Sequence, residues 1–119
     1  MTEANIDLVL DCADLDVQAA FWSKALAYDE IGRKDQYVLL RSSERAFPPL
    51  LLQRVAEPKT AKNRMHWDIR TDEVDAKVAE LESLGARRID VGQPADSEFI
   101  VMADPEGNEF CVCPGAPLG

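Results

Sequence analysis

A chain of 119 residues, 46% of them apolar, is long enough for one real core and too short for two separate domains. Its 22 acids against 13 lysines and arginines leave a net charge of −9, which excludes nucleic acid and anionic membrane surfaces as partners because either would repel it. No apolar run approaches the roughly 20 residues that a membrane span needs.

In chain order, residues 5–11 read as a strand, and an apolar pattern then begins at Leu15 and returns at Ala19, Trp22 and Leu26. Phe21 and Ala25 widen that stripe, and the spacing is helical. Asp14 fits the N-cap, where a carboxylate accepts from the exposed amides of the first turn. A short strand is expected near residues 29–33. Two more are expected at 37–40 and 50–55, parted by a loop that holds Pro48 and Pro49.

The polar stretch from Glu57 to Asn63 divides the chain near its midpoint, and the order of elements then repeats. Met65 to Arg70 reads as a strand; Val74, Val78, Leu81 and Leu84 mark a helix that stops at Gly85, the residue expected just past a helix C-terminus. Strands follow at about 87–91, 98–103 and 109–113. Between the last two lies Asp104-Pro105-Glu106-Gly107-Asn108, whose composition specifies a tight turn with a residue at positive φ, so this segment is a β-hairpin. A shift of 59 residues sets Leu15-Asp16 on Val74-Asp75 and Asp7 on His66, whereas a shift of 58 pairs Leu26 with Leu84. The chain is therefore two βαβββ modules, about 1–56 and 63–115, in a single α+β domain.

Three cysteines, Cys12, Cys111 and Cys113, are an odd number without zinc-site spacing, and no basic-then-apolar leader precedes the first strand. A reduced, cytoplasmic protein is the simplest reading. Cys111 and Cys113 read as small buried thiols on one face of a strand rather than as a redox pair. Arg41, Arg45, Arg54, Lys59, Lys62 and Arg64 gather in the middle third, either as solvated loop and strand-edge charges or as an anion site.

The run His66-Trp67-Asp68-Ile69, then Asp72-Glu73-Val74-Asp75, Leu84-Gly85-Ala86 and the turn from Asp104 to Phe110, resembles the glyoxalase/bleomycin-resistance/dioxygenase family, the vicinal oxygen chelate superfamily. The first half adds Asp14-Leu15-Asp16 and Phe21-Trp22, with Leu26-Ala27-Tyr28 where the family usually has Leu-Gly. Within the superfamily the chain looks most like small glyoxalase-like proteins common in actinobacteria. The resemblance implies two βαβββ modules forming a cupped mixed sheet, and a homodimer in many relatives. It also implies a divalent cation on four side chains that a small substrate chelates through adjacent oxygens.

Carried over residue by residue, that resemblance puts His66 at the second-module histidine ligand and Glu109 at the glutamate ligand that begins the last strand. The first-strand ligand, commonly histidine, aligns with Asp7, or with Leu8 after a one-residue slip. The fourth ligand falls on Gln53. A site of Asp7, Gln53, His66 and Glu109 is rich in oxygen and suits Mn²⁺, Mg²⁺ or Fe²⁺ over a soft metal; Ni²⁺ and Zn²⁺ complete the cations to be tested. The other reading is a cavity without a tightly held metal, in which His66 and Glu109 line the wall or bond to each other. A single histidine cannot supply the two-histidine, one-carboxylate iron site of the extradiol dioxygenases, nor the two histidines of a thiol transferase of the fosfomycin-resistance type.

Two functions stay open. One is a metal-assisted lyase or isomerase, with Glu109 moving a proton next to a carbonyl; against it, Glu109 could simply satisfy the turn's amides. The other is a metal-free binding or sequestering protein of the bleomycin-resistance type, whose ligand is an aromatic or cationic small molecule. Trp22, Trp67 and Phe99 are then either stacking surfaces or core.

Overall fold

The computed structural model describes residues 2–44 and 47–115, so Arg45 of the basic group lies outside the described residues. The chain divides into two compact units, Met1–Pro58 and Lys59–Gly119.

In the first unit, β1 (Leu8–Cys12) leads into α1 (Leu15–Leu26), followed by β2 (Asp29–Lys34), β3 (Tyr37–Arg41) and β4 (Leu50–Arg54). The sheet order is β1-β4-β3-β2, with β1 parallel to β4 and the other neighbours antiparallel. Asp14 caps α1 as its sequence position suggests, its Oδ1 accepting from the Val17 amide at 3.1 Å. The apolar stripe of α1 is the core face: Ala19, Phe21, Trp22 and Ala25 are buried, along with Val38, Leu40, Leu50 and Leu52 from the sheet. Trp22 meets Phe21 edge-on, with ring centroids 4.9 Å apart, and is fully buried.

The second unit repeats the plan. β5 (Asp68–Thr71) and α2 (Val74–Ser83) are followed by β6 (Arg87–Arg88), β7 (Ile100–Ala103) and β8 (Glu109–Pro114). The sheet order, β5-β8-β7-β6, again sets the first strand parallel to the last. The expected mixed sheet is thus present as two four-stranded sheets, one per module, in an α+β architecture. α2 has 10 residues against 12 in α1, and it ends at Ser83 with Leu84 as its C-cap. The left-handed turn beyond it falls on Gly85, at φ 117°.

Several strand boundaries differ from expectation, the strand expected at 87–91 shrinking to Arg87–Arg88, and two of the differences bear on the site. β1 starts at Leu8, so Asp7 lies before it; β5 starts at Asp68, so His66 sits in the approach to the strand rather than within it. The pairing still reaches back one step, because Trp67 O accepts from the Cys111 amide at 3.2 Å. Strand ends fray where one ladder bond is lost, which sequence patterning does not register.

The β7–β8 turn has the predicted chemistry. Gly107 takes φ 90°. Asp104, fully buried, accepts from the amides of Glu106 and Asn108 through Oδ1, both at 2.9 Å. The turn's amides are therefore satisfied by Asp104, which leaves Glu109 free for other partners.

Candidate functional site

Alternation along β8 places Glu109, Cys111 and Cys113 on one face and Phe110 and Val112 on the other. Against the first face lies a cavity of about 290 Å³, lined by Lys62, His66, Gln93, Phe99, Glu109 and Cys111 among others. That volume sits at the lower edge of the ordinary range for small-molecule sites. Val91, Pro94 and Val101 add apolar wall. Phe99 is thus the one aromatic of the three suggested stacking rings that lines this cavity; Trp22 belongs to the first unit's core.

Glu109 begins β8 and is only 7% exposed. Lys59 Nζ approaches its Oε1 at 2.6 Å, and the Asn63 amide donates to both carboxylate oxygens at 3.2 Å. Asn63 Nδ2 also donates to Asn108 Oδ1 at 3.3 Å, which ties the strap of residues 59–63 to the turn. Burial works against the charge on Glu109, but the hydrogen bonds from Lys59 and Asn63 outweigh it, and its carboxyl is held below the usual glutamate range. Lys59 and Asn63 come from the polar stretch that reads in sequence as a divider. The signal for their role is slight: a lysine four residues before an asparagine in a loop carries no periodicity.

His66 lies two residues before Asp68, its Nδ1 3.7 Å from Asp68 Oδ1. Asp68 is the register partner of Cys111 across the parallel β5–β8 pair. The ligand atoms of His66, Asp68 and Cys111 lie within 4.8 Å of one another. All three cysteines are free thiols, and burial first, then the charge of Asp68, pushes the Cys111 thiol up to about 11. Asp68 and Cys111 could have been found by extending the alternation that groups His66 with Asp68 and Glu109 with Cys111 to the pairing of those two strands.

The four expected ligands are not equally placed. His66 and Glu109 line one cavity, and the β5–β8 register continued back two residues sets them opposite each other. Asp7 and Gln53 belong to the first unit. There Leu8 is opposite Leu50 and Asp11 is opposite Gln53, so Asp7 and Gln53 stand four residues apart along the parallel pair. At a rise of about 3.3 Å per residue that is roughly 13 Å, more than an aspartate and a glutamine can close onto one ion. The residue that matches Glu109 at the start of the first unit's last strand is Leu50, which has no ligand atom. Glu109 itself gives Oε1 to Lys59. As placed, the set of Asp7, Gln53, His66 and Glu109 does not fit a single cation.

Two parallel-edged βαβββ modules, the second with a cavity beside its last strand, define a protein of the glyoxalase/bleomycin-resistance/dioxygenase superfamily. More narrowly, the chain belongs to the glyoxalase-like domain family, whose model matches residues 7–113. Solved structures agree in fold. An enzyme of the glyoxalase/bleomycin resistance protein/dioxygenase family from Burkholderia phytofirmans PsJN is 20% identical, with 90% of this chain and 94% of that one covered and a TM-score of 0.69. The fosfomycin resistance protein FosX from Listeria monocytogenes, complexed with Mn(II) and sulfate, is 16% identical over 98% of this chain and 94% of that one, with a TM-score of 0.77. A glyoxalase-related enzyme from Fulvimarina pelagi is 15% identical over 94% and 89%, with a TM-score of 0.67. No curated protein matches the chain. Among the described residues, no helix is long and apolar enough to cross a membrane.

Proposed function

We propose that the second unit binds a small oxygen-bearing molecule in the cavity beside β8, and that Glu109 takes up a proton there as a general base. The carrying observation is the buried Glu109 carboxylate in a largely apolar cavity wall, paired with the partly exposed ammonium of Lys59. Desolvating a carboxylate costs several kcal/mol before its attraction to a cation is counted. The hairpin does not need that expense, because Asp104 already holds its amides. A buried charge that lines a cavity and that the turn does not require is a candidate for chemistry. Lys62 and His66 line the same space and offer N–H donors to an oxygen that gains charge as a neighbouring carbon loses its proton. The reaction class is lyase or isomerase chemistry at a carbon next to a carbonyl.

A second reading keeps a divalent metal on His66 and Glu109, with Asp7 and Gln53 as the further ligands of the resemblance. It is favoured by the position of His66 and Glu109 on one wall, and it finds a parallel in the Mn(II) complex of the Listeria FosX. For that reading Lys59 has to leave Glu109, and Asp7 and Gln53, four residues apart on the β1–β4 register, cannot hold the ion together. The metal-free binding protein is the third outcome of the same experiment.

The test is a screen of 2-oxoaldehyde thiol adducts and epimerisable thioesters by ligand-observed NMR in deuterium oxide. The Glu109→Gln variant is expected to bind a hit within a few-fold of the parent but to exchange its α-proton at least about 100-fold more slowly. Equal exchange in parent and variant sinks the base role. Binding without exchange in either assigns the cavity to a sequestering protein.

A further inference from the structure

We propose that His66, Asp68 and Cys111 form a three-residue site for a thiophilic divalent cation, with Zn²⁺ the natural occupant. The site lies wholly within the second unit and does not use Glu109, so it shares His66 with the proton-transfer reading but not the base.

Three observations converge on it. The first is placement. Asp68 and Cys111 face each other across β5 and β8, and the Trp67–Cys111 backbone bond carries the chain on to His66, which alternation returns to the same face. The second is reach. Tetrahedral bonds of about 2.0–2.3 Å set ligand atoms about 3.3–3.8 Å apart. His66 Nδ1 and Asp68 Oδ1 already stand at 3.7 Å, and the whole group lies within 4.8 Å. The His66 and Asp68 side chains are 39% and 36% exposed, free enough to close the remainder by rotation.

The third observation is support from outside the group. Arg70 Nη2 donates to Asp68 Oδ2 at 3.4 Å, while its Nη1 holds Pro114 O at 3.2 Å. One carboxylate oxygen is thereby anchored and Oδ1 is left for a cation, the outer arrangement that orients metal ligands. His66 and Cys111 also line the cavity, so a fourth coordination position would open towards a bound molecule. Binding releases the Cys111 proton to solvent, and a thiolate, a carboxylate and a neutral imidazole together balance the two charges of the cation. The thiolate selects zinc, cobalt or nickel over magnesium and manganese, the reverse of the preference of the oxygen-rich set.

The experiment titrates Co²⁺ into chelator-treated full-length protein, followed by absorption and then by competition with Zn²⁺, with no organic ligand present. The expected result is one Co²⁺ per chain with a near-ultraviolet thiolate-to-cobalt charge-transfer band, displaced by one Zn²⁺. Cys111→Ser abolishes that band, and Asp68→Asn weakens binding at least about tenfold. Asp68→Asn changes an exposed side chain, so it reports even if Cys111→Ser folds poorly. Cys113→Ser and Glu109→Gln retain both band and affinity. Loss of cobalt in Glu109→Gln with retention in Cys111→Ser overturns the proposal in favour of the oxygen-rich set. A band that follows Cys113, or no binding tighter than about millimolar, overturns it outright. A failed proton-exchange test leaves these readouts unchanged, so the two proposals fail separately.

Discussion

Glu109 and Lys59 set the energetics of the site side by side. Removing the ammonium leaves a carboxylate that is 6% exposed and held by backbone amides, that of Asn63 among them, with no cation against it among the described residues. Stranding a buried charge costs about 3–5 kcal/mol; Lys59 is 21% exposed, so Lys59→Met is expected to cost about 2–3 kcal/mol in urea unfolding. Lys59→Met with Glu109→Gln should recover most of that loss, since no charge is then stranded. The pH dependence has a definite sign. The folded carboxyl lies below the ordinary value of 4.5, so its contribution is complete above that value and is lost as pH falls through the folded pKa. The parent should therefore lose stability on acidification below about pH 4.5 more steeply than the double variant, and parallel curves would refute the pair's role. None of this was legible in the sequence. Glu109 was identifiable as an acid beginning a strand after a turn, but Lys59 lies 50 positions earlier in a polar loop, and loops have no period from which a contact can be read.

Among the elements, the two helices show how far local chemistry reaches. Asp14 closes the first turn of α1 with its side chain, whereas Glu73, at the same place on α2, makes no capping bond. Asp14→Ala should therefore cost about 1 kcal/mol and Glu73→Ala less than about 0.5, both measured by thermal or urea unfolding. Equal losses would show that cap geometry does not govern these termini. Helices, caps and the Asp104–Gly107 turn were readable because each depends on residues within four positions of one another. Strand ends were less so: β5 begins at Asp68, three residues after the apolar pattern starts at Met65. The pattern tells which side chains alternate, not where the ladder's last bond is made.

For the whole molecule, the repeat of β1-β4-β3-β2 as β5-β8-β7-β6 is the strongest regularity, and it accounts for the family match along nearly the full chain. We propose for this chain the homodimer that the resemblance implies in many relatives. Light scattering is expected to give twice the chain mass at micromolar concentration; a monomer there would remove any reading in which a ligand or cation is shared between two chains.

What the sequence determined by itself follows from short-range rules, namely the module order, the helix faces and the hairpin, while the family resemblance singled out His66 and Glu109. The tertiary structure decided the partners. Strand register, a long-range quantity, separates Asp7 from Gln53 and joins Asp68 to Cys111. The fold of the 59–63 strap brings Lys59 and Asn63 onto Glu109. Both depend on how distant segments pack, because a carboxylate's role is set by the charges and donors that surround it and not by its neighbours along the chain.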